Sequence, residues 1–125
     1  MNDEKRIRVL CVDDHPLLRE AIAMMIQYQP DMVLVGEAAN GTEAIRKFKE
    51  FRPDVTLMDL RLPDMSGVDA LMMIRTDSPE ARIVMLTTFD GDGKRALEAG
   101  ARAYLLKTIA PKDLANAIRK VHSEP

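Results

Sequence analysis

The sequence predicts an α/β protein with a doubly wound, five-stranded parallel sheet and helices on both faces. Five short apolar runs alternate strictly with five segments of helical periodicity, and proline or glycine residues mark most of the junctions. Strict alternation favours right-handed β-α-β crossovers, which make the strands parallel and place helices on both sides. A chain of 125 residues with 46% hydrophobic and 30% charged residues is expected to form one globular domain.

Each predicted element follows from a local pattern. The strands are predicted at residues 7–12, 32–38, 55–58, 82–86 and 103–106. The helices are predicted to begin at or just after Pro16, Asn40, Ser66, Gly93 and Pro111. The fourth helix, 93–99, is expected to be short and to be closed by Gly100. The methionine pairs at 24–25 and 72–73 stand at helical spacing, so we interpret them as core residues.

Composition and charge exclude several classes of protein. The single cysteine, Cys11, lies inside an apolar run, which favours a buried thiol in a reducing cytoplasm. The net charge of -2, with acids and bases interspersed, indicates that this domain does not bind nucleic acid directly. We expect no membrane association, because no 18 apolar residues run together and the chain begins with no signal-peptide pattern.

Polar residues follow four of the five predicted strands, and these residues carry the chemistry. They are Asp13 and Asp14 after the first strand, Asp59 after the third, Thr87 after the fourth and Lys107 after the fifth. In a parallel sheet the carboxyl ends of the strands meet at one edge, where ligand crevices form. A single acid after a strand is at least as often a helix cap or a loop residue as a functional group. The polar residues after four strands, taken together, predict a functional site.

The predicted site combines metal-binding and nucleophilic groups. Three neighbouring carboxylates repel one another, and a divalent cation resolves that conflict. Hard oxygen ligands suit Mg²⁺. Lys107 adds a positive charge for a phosphoryl oxygen and Thr87 adds a hydroxyl. Asp59 ends the predicted central strand, so we predict that it accepts a phosphoryl group and becomes an aspartyl phosphate.

Four stretches carry a family resemblance: residues 11–16 (CVDDHP), 58–67 (MDLRLPDMSG), 86–88 (LTT) and 104–107 (YLLK). In this order and spacing the chain resembles a response-regulator receiver domain of two-component signalling. It is most similar to receivers of the LuxR/NarL type, which precede a helix-turn-helix transcription-factor domain. The resemblance implies the flavodoxin-like receiver fold with strand order 2-1-3-4-5.

The resemblance also implies roles for residues of the site. Asp59 would accept the phosphoryl group from a sensor histidine kinase. Asp14, Asp59 and the backbone carbonyl of Arg61 would bind Mg²⁺, with Asp13 acting through water. Lys107 would contact the phosphoryl group, and Thr87 would move to hydrogen-bond it. The backbone N–H groups of Arg61 and Thr88 would complete the phosphoryl cradle.

A switch and an output are further implications of the resemblance. Tyr104 matches the aromatic residue that couples to Thr87, and the responding surface would comprise the fourth helix, fifth strand and fifth helix. The module would be a signalling domain rather than an enzyme and would form a homodimer when phosphorylated. Residues 1–125 are expected to be the receiver alone, without its output domain. The short fourth helix begins at Gly93, within the stretch Gly91-Asp92-Gly93, which we expect to be the most flexible segment.

Other functions remain open or fail on particular residues. The domain could be a stand-alone receiver that acts through protein contacts. A haloacid-dehalogenase-type aspartyl-phosphate phosphatase needs a second aspartate two residues after its nucleophile, where this chain has Arg61. A nucleotide-binding fold needs a glycine loop after the first strand. His15 is interpreted as the start of the first helix rather than as a metal ligand, because Mg²⁺ prefers oxygen.

Overall fold

The computed structural model of the chain describes residues 5–88 and 93–125. The strands are β1 (Ile7–Val12), β2 (Met32–Ala38), β3 (Val55–Asp59), β4 (Ile83–Thr87) and β5 (Ala103–Leu106). The helices are α1 (Pro16–Gln27), α2 (Gly41–Phe51), α3 (Gly67–Asp77), α4 (Gly93–Glu98) and α5 (Pro111–Ser123). The expectation of flexibility at 91–93 concerns a segment of which only Gly93 is described.

The five strands form one sheet in the order β2-β1-β3-β4-β5, and every pairing is parallel. The predicted fold class and strand order are therefore confirmed. Every residue of β3 and β4 is buried, which explains why apolar residues predominate in these strands without alternating with exposed polar ones. The chain reverses its direction of winding between β1 and β3, so the carboxyl ends of these two strands border a crevice.

Helices cover both faces of the sheet. On one face α1 and α5 pack against β1 and β3 through buried side chains such as Ile22, Ile26 and Ile118. On the other face α2, α3 and α4 bury Ala44, Leu71 and Ala96 among others. The sheet is thus held on both faces, which fixes the positions of the loops at its carboxyl edge.

The bounds of two strands and of one helix differ from the sequence prediction. β3 extends to Asp59 because Asp59 still pairs with Leu86, and the N–H of Leu60 donates to the Leu86 carbonyl at 3.0 Å. β4 begins at Ile83 and includes Thr87, whose carbonyl accepts from the backbone N–H of Lys107 at 2.7 Å. Asp59 and Thr87 are therefore the last residues of their strands. α4 ends at Glu98, and Gly100 closes it with a φ of 114°.

The predicted helix starts are confirmed where a side chain caps them. The side chain of Asn40 accepts a hydrogen bond from the N–H of Glu43 at 2.8 Å, and the Ser66 hydroxyl accepts from the N–H of Asp69 at 3.0 Å.

Within residues 5–88 and 93–125, no helix has both the length and the apolar composition that crossing a bilayer requires.

The prediction that the methionine pairs lie in the core is wrong for three of the four residues. Met25 is buried, but Met24 is 59% exposed and Met72 and Met73 are each 52% exposed. Each helix packs on a single face of the sheet, and these three side chains lie on the solvent side of α1 and α3. Helical spacing alone did not distinguish the two sides because apolar residues occur on both.

Candidate functional site

The polar residues predicted to end the strands do meet at the carboxyl edge of the sheet. Asp13 follows β1, while Asp59 and Thr87 end β3 and β4; these three residues are 1%, 4% and 3% exposed, respectively. Their backbones lie at the ends of the three central strands of the sheet, β1, β3 and β4, which brings the three side chains close together. Two acids and a hydroxyl therefore lie buried at one end of an otherwise apolar core.

Lys107 joins the two buried acids. Its Nζ lies 2.9 Å from Oδ2 of Asp59 and 2.8 Å from Oδ2 of Asp13. The backbone N–H of Lys107 also donates to the carbonyl of Thr87, which attaches the lysine to the end of β4. One ammonium thus neutralises part of the charge of two carboxylates that come from neighbouring strands.

Both carboxylate oxygens of Asp13 are engaged. Oδ1 accepts from the backbone N–H of His15 at 2.8 Å and lies 2.7 Å from the ring nitrogen Nδ1 of His15. Oδ2 pairs with Lys107. Asp14, in contrast, is exposed and lies on the rim of the site. Of the two adjacent acids, Asp14 is therefore the one with an oxygen available to a new ligand.

His15 does begin α1, as predicted: it occupies the N-cap position before Pro16. The sequence interpretation missed its contact with the acids. Its Nδ1 lies 2.7 Å from Oδ1 of Asp13 and 3.2 Å from Oδ1 of Asp14. A histidine directly after two acids was the available signal, but only the turn geometry shows that the ring folds back onto them.

An open cleft of about 400 Å³ lies above Asp59. It is lined by Asp14, His15, Asp59, Leu60, Arg61, Leu62, Pro63, Thr87, Thr88 and Lys107. The backbone N–H of Arg61 donates to Oδ1 of Asp59 at 3.2 Å. All the predicted site residues except Asp13 and Tyr104 therefore line one cleft, and Asp13 lies beneath it.

Burial and charge determine the protonation of the central pair. Burial raises the pKa of Asp59, although the hydrogen bonds from Lys107 and from the Arg61 N–H act in the opposite direction. Burial lowers the pKa of Lys107, but its hydrogen bonds to Asp13 and Asp59 outweigh the effect of burial, so the pKa is raised overall. The lysine therefore remains a cation, whereas Asp59 carries its negative charge at an energetic cost.

The donor set fits a hard divalent cation. One ligand atom from each of Asp13, Asp14, His15 and Asp59 can be chosen so that all four lie within 4.8 Å of one another. Three of these groups are carboxylates, and the pKa of Asp59 is raised mainly by burial and further by the neighbouring charge of Asp13. A cation among these oxygens would relieve that repulsion.

Tyr104 lies apart from the cleft, in β5. It pairs with Met85 of β4, and its half-buried ring covers Gly93 at the start of α4. A Cβ atom built on Gly93 would lie 2.3 Å from Cε2 of Tyr104. The predicted switch residue therefore contacts the first residue of α4 directly.

Two residues near the site were not predicted. Arg19 of α1 donates from Nη1 to the Asp13 carbonyl at 2.6 Å, and its Nε lies 3.3 Å from Oε1 of Glu37. Asp64, in the loop after β3, binds the N-terminus of α2. Neither residue ends a strand, so the pattern that revealed the other site residues could not reveal these.

The fold and the site together define a class of protein. It is a doubly wound α/β domain in which an aspartate paired to a lysine, with further acids beside it, lies where the strand order reverses. The chain belongs to the response regulator receiver domain family, whose pattern matches residues 9–119. The resemblance noted in the sequence is thereby confirmed. Response regulators are signalling proteins and are not generally classed as enzymes.

Individual relatives support the same assignment. The chain is 47% identical over 116 residues to the response regulator protein VraR of Staphylococcus aureus, across 91% of this chain and 56% of VraR. The structure of a LuxR-family two-component response regulator from Aurantimonas sp. SI85-9A1 is 38% identical, with a TM-score of 0.88, and the match covers 94% of this chain and 86% of that one. The response regulator domain of Thermotoga maritima CheB is 32% identical, with the same TM-score of 0.88, over 96% and 98% of the two chains. The chain thus spans little more than half the length of VraR.

Proposed function

We propose that this chain is the phosphoacceptor domain of a two-component response regulator and that Asp59 receives the phosphoryl group. The observation that carries the proposal is the position of Asp59, which is buried at the end of β3, bonded to Lys107 and open to the cleft. The donor would be the phosphohistidine of a sensor histidine kinase. An oxygen of Asp59 forms the new bond to phosphorus while the phosphorus–nitrogen bond breaks and its electron pair returns to the donor imidazole.

The residues around Asp59 suit this transfer. Lys107 already contacts Oδ2 of Asp59, so its ammonium can follow the charge onto a phosphoryl oxygen. The N–H of Arg61 points at Oδ1 of Asp59, and Thr88, whose backbone N–H is the other proposed donor, lines the same cleft. These donors would hold the phosphoryl oxygens as negative charge accumulates on them.

Mg²⁺ is the proposed cofactor. Asp14, Asp59 and the backbone carbonyl of Arg61 would hold it, and Asp13 would act through water because both of its oxygens already have partners. When bound, the ion supplies positive charge that neutralises the incoming phosphoryl oxygens. Among the ion pairs of the described residues, Lys107 is the only cationic side chain that contacts both Asp13 and Asp59.

Phosphorylation would then bias the surface formed by α4, β5 and α5. The hydroxyl of Thr87 would turn towards the phosphoryl group, and Tyr104 would change its position against Gly93 as Thr87 moves. The proposed consequences are homodimer formation and control of transcription in the cytoplasm through a DNA-binding output domain. The receiver itself would not contact nucleic acid.

Acetyl phosphate with Mg²⁺ tests the assignment of Asp59. We expect mass spectrometry to show one added phosphoryl group on the wild-type protein, none on Asp59→Asn, and none on the wild type in excess chelator. Asp69→Asn is the matched control, because Asp69 is an exposed aspartate of α3 outside the cleft; it should be labelled like the wild type. Equal labelling of Asp59→Asn would overturn the proposed function.

A further inference from the structure

The loop after β3 is attached to a helix that contributes no side chain to the cleft. Asp64, at the tip of this loop, accepts hydrogen bonds from the backbone N–H groups of Gly41 and Thr42 at 2.8 and 2.9 Å, and from the Thr42 hydroxyl at 2.7 Å. Gly41 and Thr42 are the first two residues of α2. A single exposed carboxylate thus connects segments that are 22 and 23 residues apart in sequence.

This contact completes the N-terminal cap of α2. The first N–H groups of a helix have no partner within the helix. The side chain of Asn40 satisfies the N–H of Glu43, while Asp64 satisfies those of Gly41 and Thr42. The carboxylate also lies at the positive end of the helix dipole, which favours its charge. Asp64 therefore has a defined binding place rather than an incidental surface contact.

The same loop carries the backbone of Arg61. The N–H of Gly67 donates to the carbonyl of Leu60 at 2.7 Å, and an isolated bridge joins Arg61 to Ser66. These bonds close the base of the loop, and Asp64 fastens its tip. Met65 adds apolar contact at the tip, since a Cβ atom on Gly41 would lie 2.4 Å from Cγ of Met65.

We infer that Asp64 is a positioning residue for the metal site. By binding the N-terminus of α2 it holds the loop 60–66 in one conformation, which fixes the direction of the Arg61 N–H and carbonyl relative to Asp59. The inference rests on the proposed function, because it assigns Asp64 a role in preparing the Mg²⁺ site. A loop that is already ordered binds an ion more tightly than one that must first be ordered.

Asp64→Ala and Asn40→Ala form a matched pair for testing this role. Both remove hydrogen bonds from the first turn of α2, so both should lower Tm, but only Asp64→Ala releases the loop. We expect the Kd for Mg²⁺, measured by calorimetry, to rise about fivefold in Asp64→Ala, as it would if about one molecule in five kept the loop in place. Asn40→Ala should bind Mg²⁺ like the wild type. Asp64→Asn retains one carbonyl oxygen and should lie between them.

The metal-free protein provides a second readout. In Asp64→Ala the amide resonance of Arg61 should shift or broaden in NMR spectra without Mg²⁺, whereas in Asn40→Ala it should stay in place. If both variants lose the same Mg²⁺ affinity and leave Arg61 unchanged, Asp64 is only a helix cap and the inference is wrong, while the proposed function stands. If the wild-type protein itself binds no Mg²⁺, the proposed function fails and the inference fails with it.

Discussion

Oδ2 of Asp59 lies 2.9 Å from the Nζ of Lys107, and the same ammonium lies 2.8 Å from Oδ2 of Asp13. One cation therefore serves two carboxylates that are both almost fully buried. Such an arrangement places the acids where a cation or a phosphoryl group can be received, but it leaves excess negative charge in the folded state. The stability of the metal-free protein should reflect that charge.

Asp59→Asn should stabilise the metal-free protein at neutral pH. Because burial raises the pKa of Asp59, the folded state binds its proton more tightly than the unfolded state does, and stability is lost as the pH rises through the raised value. Replacing the carboxylate removes this loss. We expect Tm at pH 7 in chelator to rise by about 4 °C, the shift that roughly 1 kcal/mol produces in a domain of this size.

The advantage of Asp59→Asn should shrink as the pH falls through the raised pKa of Asp59 towards the ordinary pKa of an aspartate, about 4. Asp69→Asn provides the control, since Asp69 is exposed near the N-terminus of α3 and its loss should not raise Tm. A Tm gain that is the same at both pH values would contradict the explanation from burial.

Asp14→Ala should weaken Mg²⁺ binding more than Asp13→Ala does. Asp14 lies on the rim of the cleft with an exposed side chain, whereas His15 and Lys107 occupy both oxygens of Asp13. We expect Asp13→Ala, which removes a water-mediated ligand, to lose about tenfold in affinity, and Asp14→Ala, which removes a direct ligand, to lose more. Titration calorimetry measures both, and equal losses would rule out the distinction between direct and water-mediated ligands.

Gly67→Ala should destabilise the protein and displace Asp59. A Cβ atom at position 67 would lie 2.1 Å from the backbone oxygen of Asp59 and 2.8 Å from Cε of Met85. Backbone at the end of a central strand cannot move away easily, so we expect a loss of about 2–4 kcal/mol in urea unfolding. Gly36→Ala is the control: its nearest contacts, at 3.2 to 3.3 Å, are side-chain atoms, and its cost should be clearly smaller.

Gly93→Ala should move the ring of Tyr104. The added methyl group would overlap Cε2, Cδ2 and Cζ of the ring, and a ring on a rotatable side chain yields more easily than backbone does. We expect the free energy of unfolding to change by less than about 1 kcal/mol, because alanine favours the helix. In a Tyr28→Phe background, NMR should show the Tyr104 ring in a new environment. Lys94→Ala, at an exposed position of the same helix, should leave the ring where it is.

Asp64 should contribute stability that disappears in acid. Hydrogen bonds from the Thr42 hydroxyl and from the N–H groups of Gly41 and Thr42 lower its pKa to about 2. A lowered value means that the contribution is complete above the ordinary pKa of an aspartate and is lost as the pH falls through about 2. Urea unfolding of the wild type and Asp64→Asn should therefore differ at pH 6 and converge near pH 2. A gap of the same size at both pH values would contradict the assignment.

The alternation of apolar runs and helical segments was sufficient to predict the architecture. The predicted and observed ends of β1 agree, because charged residues on both sides of the apolar run mark where the strand begins and ends. The acids and the lysine of the site were recognisable from the sequence because the carboxyl ends of parallel strands lie at one edge of the sheet. Asp59 and Thr87 were placed just beyond their strands, since a polar residue after an apolar run looks like a loop although its backbone still pairs.

Contacts between segments distant in sequence were not predictable. Nothing in the pattern around Asp64 indicates that its carboxylate reaches Gly41, and nothing near Arg19 indicates that its guanidinium reaches Glu37. The exposure of Met24 likewise depends on which side of α1 meets the sheet. These features depend on how the helices are placed against the sheet, and local periodicity carries little information about that placement.

The burial of Cys11 has a practical consequence. It is the only cysteine of the chain, and burial raises the pKa of its thiol to about 12, so at neutral pH it is neither accessible nor ionised. A thiol introduced on the surface, for example by Leu106→Cys at the exposed end of β5, would have no native competitor for maleimide dyes or spin labels. The natural sequence thus already provides a background in which distance changes between chosen surface points can be followed spectroscopically.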